Sequence, residues 1–270
     1  MIIREVKCSS ILTKSGISGI DYALNPYTGC EHGCLYCYAV FMKKFTGHNE
    51  GWGRFVDVKI NAPEVLRKQL KKTKPGLVSL STVTDPYQPI EEKYCITRQC
   101  LEILIDYKFP VSILTKSKLV LRDIDILKKL KNVDVGFSIA FTDEKVRRIF
   151  EPRSSTTEER FYVLKELAQQ NITTWLFFSP VLPYFSDTEI NIDILFRKAA
   201  EAGVESIFVD TLQLYPKVWE RLKKILNMFS PDVVGLYRNY GINKNIYKKG
   251  LKEKIKRIAK NYNMPVEFTF

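Results

Sequence analysis

Between residues 77 and 229 the chain alternates between two hydrophobic rhythms. Short continuous apolar runs, rich in β-branched and aromatic residues, appear as LVSLST (77–82), PVSILT (110–115), VDVGFSIA (133–140), TTWLFFSP (173–180) and SIFVDTLQL (206–214). Between them lie stretches with apolar residues at helical spacing: RQCLEILIDY, LRDIDILKKL, EERFYVLKELAQQ, EINIDILFRKAAEAG and KVWERLKKILNMF. A strand buried on both faces shows no polar alternation, and a helix covering it is apolar along one stripe only. The two rhythms together predict parallel strands joined by covering helices. Local punctuation agrees. In SSTTEER, Ser155 with Glu158 and Thr156 with Glu159 are capping-box pairs that would open a helix. Asp187 stands where it would cap the next helix, and Gly203 where it would end it.

A further strand just before Cys30 and a helix just after Cys37 bring the count to six strand–helix units. Six are too few to close an eight-fold barrel. The predicted fold class is therefore α/β, an open, partial (β/α)6 barrel of TIM type with parallel strands, outer helices and its chemistry at the C-terminal strand ends. No Pro/Gly/Ser-rich linker interrupts the chain, so one domain is expected. Residues 1–20 read as an N-terminal extension and 21–230 as the barrel. Residues 231–270 read as a basic C-terminal helix and terminal strand packed on it. The hexapeptide SILTKS occurs at 10–15 and again at 112–117, but its flanks differ and two copies make no repeat architecture.

Size and composition narrow the class. The 270 residues are 45% hydrophobic and 27% charged, enough for a sizeable core in an ordinary globular protein. No apolar run approaches the roughly 18 residues of a membrane span. MIIREVKCSS lacks the apolar region of a secretory signal, so no membrane association and a cytoplasmic location are the default expectations. The net charge of +12 attracts polyanions, and its excess is local: KNIYKKGLKEKIKRIAK (244–260) holds eight basic residues against one acid. Leu251, Ile255, Ile258 and Tyr262 recur there at helical spacing, giving an amphipathic helix with a basic outer face. That face reads equally as a nucleic-acid contact or as a solvated, lysine-rich surface.

The six cysteines are too sparse for a disulfide scaffold, and the two histidines leave little room for histidine-based chemistry. Three cysteines fall in NPYTGCEHGCLYCYAV (25–40), as Cys30, Cys34 and Cys37. A structural zinc takes four ligands, commonly from two C-x2-C pairs, and no second pair is present. A 4Fe–4S cluster held by three cysteines keeps one iron open to a ligand that reacts. Gly29 and Gly33 allow a tight loop around such a group, and Tyr36 offers an aromatic ring beside the third cysteine.

The spacing C-x3-C-x-Tyr-C at the end of a first barrel strand resembles the signature of the radical S-adenosylmethionine (SAM) enzymes. NPYTGCEHGCLYCYA together with TVTDPYQPIE resembles the branch around spore photoproduct lyase, also described as DNA-repair-photolyase-like, and the likeness runs from about residue 8 to residue 215. It implies two cofactors, a 4Fe–4S cluster on Cys30, Cys34 and Cys37, and SAM chelating the fourth iron. It also implies reductive cleavage of SAM to a 5′-deoxyadenosyl radical that abstracts hydrogen from a substrate, with electrons from a donor such as flavodoxin or ferredoxin. Carried over by position, Tyr36 and Tyr38 would lie near adenine and ribose, and Thr84 and Asp85 near the methionyl amine. Lys116 would hold the carboxylate, Ser138 would make a polar contact, and the SPVLP segment around Val181 would meet adenine through its backbone. Each of these has a plainer reading. Lys116 would be a solvated loop lysine, Tyr38 core packing, Glu151 with Arg160 a structural ion pair, and His32 a loop residue. Cys8, Cys95 and Cys100 read as buried thiols.

One departure from the lyase stands out. The cysteine by which the lyase returns hydrogen falls here at Thr82, whose O–H bond is too strong for that task, and Cys95 lies ten residues past Asp85. The substrate is therefore left open among a nucleic-acid base, a peptide and a small molecule. A non-catalytic nucleic-acid-binding protein with a structural metal stands as the alternative.

Overall fold

The computed structural model describes every residue, Met1–Phe270. Two strands, β1 (Ile2–Val6) and β2 (Leu12–Lys14), precede the first barrel strand, β3 (Tyr22–Leu24). β4 (Tyr27–Thr28) and β5 (Phe55–Lys59) bracket the cysteine loop, and α1 (Ala62–Leu70) completes this first unit. β6 (Val78–Leu80) leads into α2 (Glu91–Tyr94) and α3 (Ile96–Tyr107), and β7 (Val111–Thr115) into the single turn α4 (Ile124–Leu127). β8 (Val133–Ser138) is followed by α5 (Glu144–Phe150) and α6 (Thr157–Gln169), and β9 (Thr173–Val181) by α7 (Glu189–Glu201). β10 (Ser206–Thr211) runs into α8 (Pro216–Phe229). α9 (Pro231–Ile242), α10 (Lys244–Ala259) and β11 (Val266–Phe268) end the chain.

The main sheet has the order β11-β10-β9-β8-β7-β6-β3-β2, with the six strands from β3 to β10 all parallel. These are the six units expected, and the sheet does not close. β11 adds a seventh parallel strand beside β10, and β2 an antiparallel one beside β3. A separate small sheet, β1-β5-β4, ties residues 2–6 to the far side of the cysteine loop. No helix is long and apolar enough to cross a membrane.

Several local expectations are revised. The segment after Cys37 winds as a 3-10 helix, Tyr38–Phe45, and the first α-helix comes only after β5. LRDIDILKKL is not one helix but a 3-10 turn, Lys118–Asp123, followed by α4. Asp123 is fully buried there and accepts from Arg98 at 2.9 Å and Arg122 at 2.8 Å, which draws the segment's middle onto its neighbours. Thr156 with Glu159 forms the capping box of α6, whereas Ser155 accepts from Lys118 N–H. Thr188, not Asp187, caps α7; the Asp187 carboxylate accepts from the Tyr184 N–H and the Tyr247 hydroxyl. Tyr262 lies beyond α10, and its hydroxyl donates to Asp193 at 2.6 Å. Of the scattered cysteines only Cys100 is buried; Cys8 and Cys95 are partly exposed.

The sheet's two faces differ in what they bury. Val78, Leu80, Ile113, Val135, Phe137, Leu176, Phe178, Ile207 and Val209 pack against the helices in the main core. The opposite, inner face carries Ser79, Ser112, Gly136, Ser138, Ser179 and Ser206 alongside larger side chains, Leu114, Phe177 and Phe208. Trp175 plugs its N-terminal end. The ring packs edge-on to Phe208 at 5.3 Å, and its Nε1 donates to Asp134 at 2.6 Å. It also lies directly over Gly136, where an added Cβ would come within 2.2 Å of Trp175 Cε2. Gly136→Ala should therefore force the indole out of place and destabilise the fold by about 1–3 kcal/mol, the usual cost of overpacking. Urea unfolding measures it; an unchanged midpoint would mean that Trp175 does not fill this space.

Candidate cluster and cofactor site

The cysteine loop leaves β3 and β4 and folds against residues 51–55. Gly29 has φ +90°, and a Cβ there would stand 2.4 Å from the Phe55 carbonyl oxygen. Gly33 and Gly53 lie back to back, both at positive φ, so that a Cβ on Gly53 would come within 2.6 Å of Gly33 Cα. Only glycine fits this crossing of two backbones. Inside the turn Gly33 N–H donates to Cys30 O at 3.3 Å and Cys37 N–H to Cys34 O at 3.2 Å. Cys30 and Cys34 are buried and Cys37 partly so. Burial pushes all three thiols up, Cys34 to about 12. Left to themselves they stay protonated, and a bound metal's charge is what would make them thiolates.

The surroundings show what kind of metal group fits. Arg221 of α8 is largely buried; one arm donates to Gly33 O at 3.3 Å, and its Nη1 has no partner. Burial pulls the guanidinium's pKa down, and the groups opposing that pull are Cys37 and Cys34. Trp52 Nε1 is likewise buried without a partner of ordinary geometry and lies against the Cys37 thiol, whose pKa it lowers. No three His, Cys, Asp or Glu residues converge on a single ion. Three cysteines spread over a loop, faced by a cation and an indole N–H, fit an anionic iron–sulfur cluster in which each thiolate takes its own iron.

The strand-end residues form two linked sets. Asp85 accepts from the Tyr87 N–H at 2.9 Å, the Thr115 hydroxyl at 2.7 Å and the Lys116 N–H at 2.8 Å, and pairs with His32 Nδ1 at 3.3 Å. Burial would raise its pKa, but His32, Thr115 and the Tyr87 N–H outweigh that and hold it at about 2. Thr84 donates to Gly29 O at 2.6 Å and accepts from Gln88, whose carbonyl takes the Glu31 N–H at 2.8 Å. Thr84 thus spends its donor on the cysteine loop, while Asp85 ties that loop, through His32, to Thr115 and Lys116 at the end of β7. His32 is part of that bracing.

In the second set Lys116 is half-buried, not a solvated loop lysine. Its Nζ donates to Ser138 Oγ at 2.8 Å and stands 5.9 Å from the Tyr36 ring centroid, and Ser138 Oγ donates to Ser179 O at 2.8 Å. Tyr36 is buried with its hydroxyl on Glu151, which is fully buried and paired with Arg160. Burial pushes Glu151 up, but Arg160 and then Lys116 outweigh it and its pKa is lowered. Arg160 also donates to Ser138 O at 2.7 Å, so this ion pair braces the strand end that carries Ser138. Tyr38 is not core packing: it is 45% exposed, with its hydroxyl on Thr82 O. It lines a cleft of about 430 Å³ together with Lys14, Asn25, Lys59, Thr82 and Val83. Val181 is fully buried, which leaves only its backbone to face a ligand. Arg221, Trp52 and Gln88 escaped sequence reading. The Gly-Trp-Gly at 51–53 was a usable signal, but nothing in the sequence links Arg221 to a glycine 188 residues earlier.

Residues 24–196 match the family model of the Radical SAM superfamily. The chain belongs to that superfamily. It is 37% identical over 187 residues to an uncharacterized protein of Methanocaldococcus jannaschii, covering 69% of this chain and 70% of that one. A radical SAM Nα-GlyT isomerase of Pseudomonas phage M6 is 28% identical over 213 residues, 77% of this chain and 43% of the phage protein. In fold this radical SAM protein resembles spore photoproduct lyase: one such structure superposes with a TM-score of 0.73 at 15% identity, over 99% of this chain and 82% of that one. Family membership implies SAM and an iron–sulfur cluster, and the lyase has been solved with SAM bound.

The Asp85 bonds have a pH signature. A carboxyl held at about 2 against an ordinary 3.8 contributes stability above pH 4 that is lost as the pH falls toward 2. At about 1.4 kcal/mol per unit this is about 2 kcal/mol. Asp85→Asn should be less stable than wild type by about that much at pH 7, with the difference shrinking between pH 4 and pH 2. Urea midpoints across that range check it; a difference independent of pH would contradict the assignment.

Proposed function

We propose that this radical SAM protein is an enzyme carrying a 4Fe–4S cluster on Cys30, Cys34 and Cys37, and that it acts on a nucleic-acid base. The observation that carries the cluster is the pair of buried, unsatisfied donors at the cysteine loop, Trp52 Nε1 against the Cys37 thiol and Arg221 Nη1 on a guanidinium bonded to Gly33 O. When bound, a reduced cluster and SAM supply a carbon-centred radical that abstracts hydrogen from a substrate. The chain's own residues hold and shield that chemistry. Lys116, whose Nζ has only a hydroxyl partner, supplies a cation for the SAM carboxylate at the inner face. Tyr38 and the backbone at Val181 border the adenosyl moiety. Thr82 opens on the cleft beside Tyr38, and its hydroxyl does not serve as the hydrogen-returning group.

The nucleic-acid part rests on α10. Leu251, Ile255 and Ile258 bury one side of the helix. Of its basic residues, Lys254 donates to Asp187 O, Arg257 pairs with Glu189 and Lys244 donates to Gln213. Lys248, Lys249, Lys252, Lys256 and the adjoining Lys260 have no acidic partner and form a cationic strip. Two of them stand over aromatic rings, Lys248 over Phe270 and Lys252 over Phe268. Basic side chains interleaved with aromatic ones suit a single strand. A protein of similar fold bears on nucleosides: spore photoproduct lyase has been solved with a dinucleoside photoproduct. A low-potential donor such as flavodoxin or ferredoxin would supply the electron.

Anaerobic reconstitution should give the absorbance of a 4Fe–4S cluster and, with dithionite and SAM, release 5′-deoxyadenosine. Cys34→Ala should abolish both, and wild-type protein that releases none would overturn the enzymatic reading. Binding to a labelled single-stranded oligonucleotide should weaken steeply with salt. The slope in log–log form should reach about −3.5 if all five lysines meet phosphates at about 0.7 each. Binding that is absent or indifferent to salt would move the substrate to a peptide or small molecule.

A further inference from the structure

The two buried side-chain N–H groups that lack a partner come from elements outside the cysteine loop: Trp52 Nε1 lies against the Cys37 thiol, and Arg221 Nη1 belongs to a guanidinium whose other arm is bonded to Gly33, next to Cys34. Arg221 reaches in from α8, where Val218 and Leu222 on either side are fully buried and hold the helix against the loop. Its Nη2 braces Gly33 O while Nη1 is free, and thiolates at Cys37 and Cys34 would oppose the loss of its charge. No carboxylate is paired with it. Trp52 reaches in from the turn before β5, held edge-on to Phe55 with centroids 5.9 Å apart. Burying a guanidinium without a counter-charge costs several kcal/mol, and an unmade buried N–H bond costs about 1–3 kcal/mol.

We propose that Arg221, with Trp52 beside it, is a positioning residue that donates to the Cys34/Cys37 side of the cluster and raises its reduction potential. The inference rests on the cluster proposed above and adds what this chain does to it. Reduction places one more negative charge on the cluster. A fixed positive charge and an N–H dipole aimed at sulfur favour the more negative state. The electron comes from a one-electron, low-potential carrier or from dithionite, which is oxidised as the cluster is reduced, and the charge on Arg221 does not change. Arginine suits the position because its fork braces the Gly33 carbonyl with one arm and faces sulfur with the other, which a lysine does not reproduce. Arg221 lies outside the span, residues 24–196, matched by the family model.

The test is a redox titration of the reconstituted holoprotein followed by electron paramagnetic resonance, with neither SAM nor substrate added. Arg221→Gln should make the cluster at least tenfold harder to reduce, a fall of 59 mV for one electron. Trp52→Phe should shift the potential in the same direction by less, and Arg221→Lys, which keeps the charge, should lie between Arg221→Gln and wild type. A purely structural Arg221 would lower cluster content or thermal stability and leave the potential unmoved. Arg221→Gln and Trp52→Phe titrating together with wild type would overturn the proposal. Should Arg221→Gln fail to hold a cluster, Trp52→Phe and Arg221→Lys decide it by the same titration. A wild-type protein that assembles no cluster defeats the cluster reading as well, whereas coincident potentials in loaded proteins defeat only this inference.

Discussion

The carboxylate of Asp85, in the segment after β6, closes its own turn through the Tyr87 N–H and joins it to two other pieces of chain: the cysteine loop through His32, and the end of β7 through Thr115 and the Lys116 N–H. Thr84 and Gln88 extend the same hold to Gly29 and Glu31. The sulfurs and the Lys116 ammonium are thereby positioned from one buried anion. A loop with this many glycines has little stiffness of its own, and its geometry is imposed from the strand ends. Each partner of Asp85 donates, so the carboxylate is charged and satisfied at once, the condition under which a buried anion is tolerated.

The rest of the architecture is arranged around that end of the barrel. Trp175 fills the far end of the inner face over Gly136, and Ser138 and Ser179 stand nearer the mouth, with Phe177 and Phe208 beside them. The main core lies between sheet and helices, and a second apolar cluster joins the cysteine loop to α5, α8 and α9. The second cluster brings Trp52 to the Cys37 thiol and Arg221 to the Gly33 carbonyl, and the ion pair of Glu151 with Arg160 fixes Tyr36 and the end of β8 beneath it. The site is thus built where two cores meet, with charged groups on the boundary.

How far the sequence was legible follows from range. The run from β6 to β10 was readable because a strand buried on both faces is continuously apolar whatever its partners. The small sheet was not. β1 is almost wholly exposed, and β5 carries Asp57, a buried acid that makes sense only beside His48, 2.8 Å away. Asp187 looked like a cap because the competing demand of Tyr247 is 60 residues distant in sequence. Cys30, Cys34 and Cys37 were legible because their ligand role is a matter of local spacing. Whether Thr84 and Asp85 face a ligand or the loop depends on tertiary contacts with Gly29 and His32, as does the role of Arg221, and no local pattern reports those.

Charge at the cysteine loop links these strands of evidence. Burial raises the thiols, while a guanidinium and an indole N–H stand ready for negative sulfur, so the loop asks for a group that turns thiols into thiolates and spreads the charge. The most direct measurement is anomalous X-ray scattering at the iron edge from crystals of the anaerobically reconstituted protein. The account predicts an iron–sulfur cube bonded to Cys30, Cys34 and Cys37, with Arg221 and Trp52 directed at its sulfurs and one iron free of any protein side chain. A single zinc peak among these residues, or a fourth side chain closing the last iron, would contradict it.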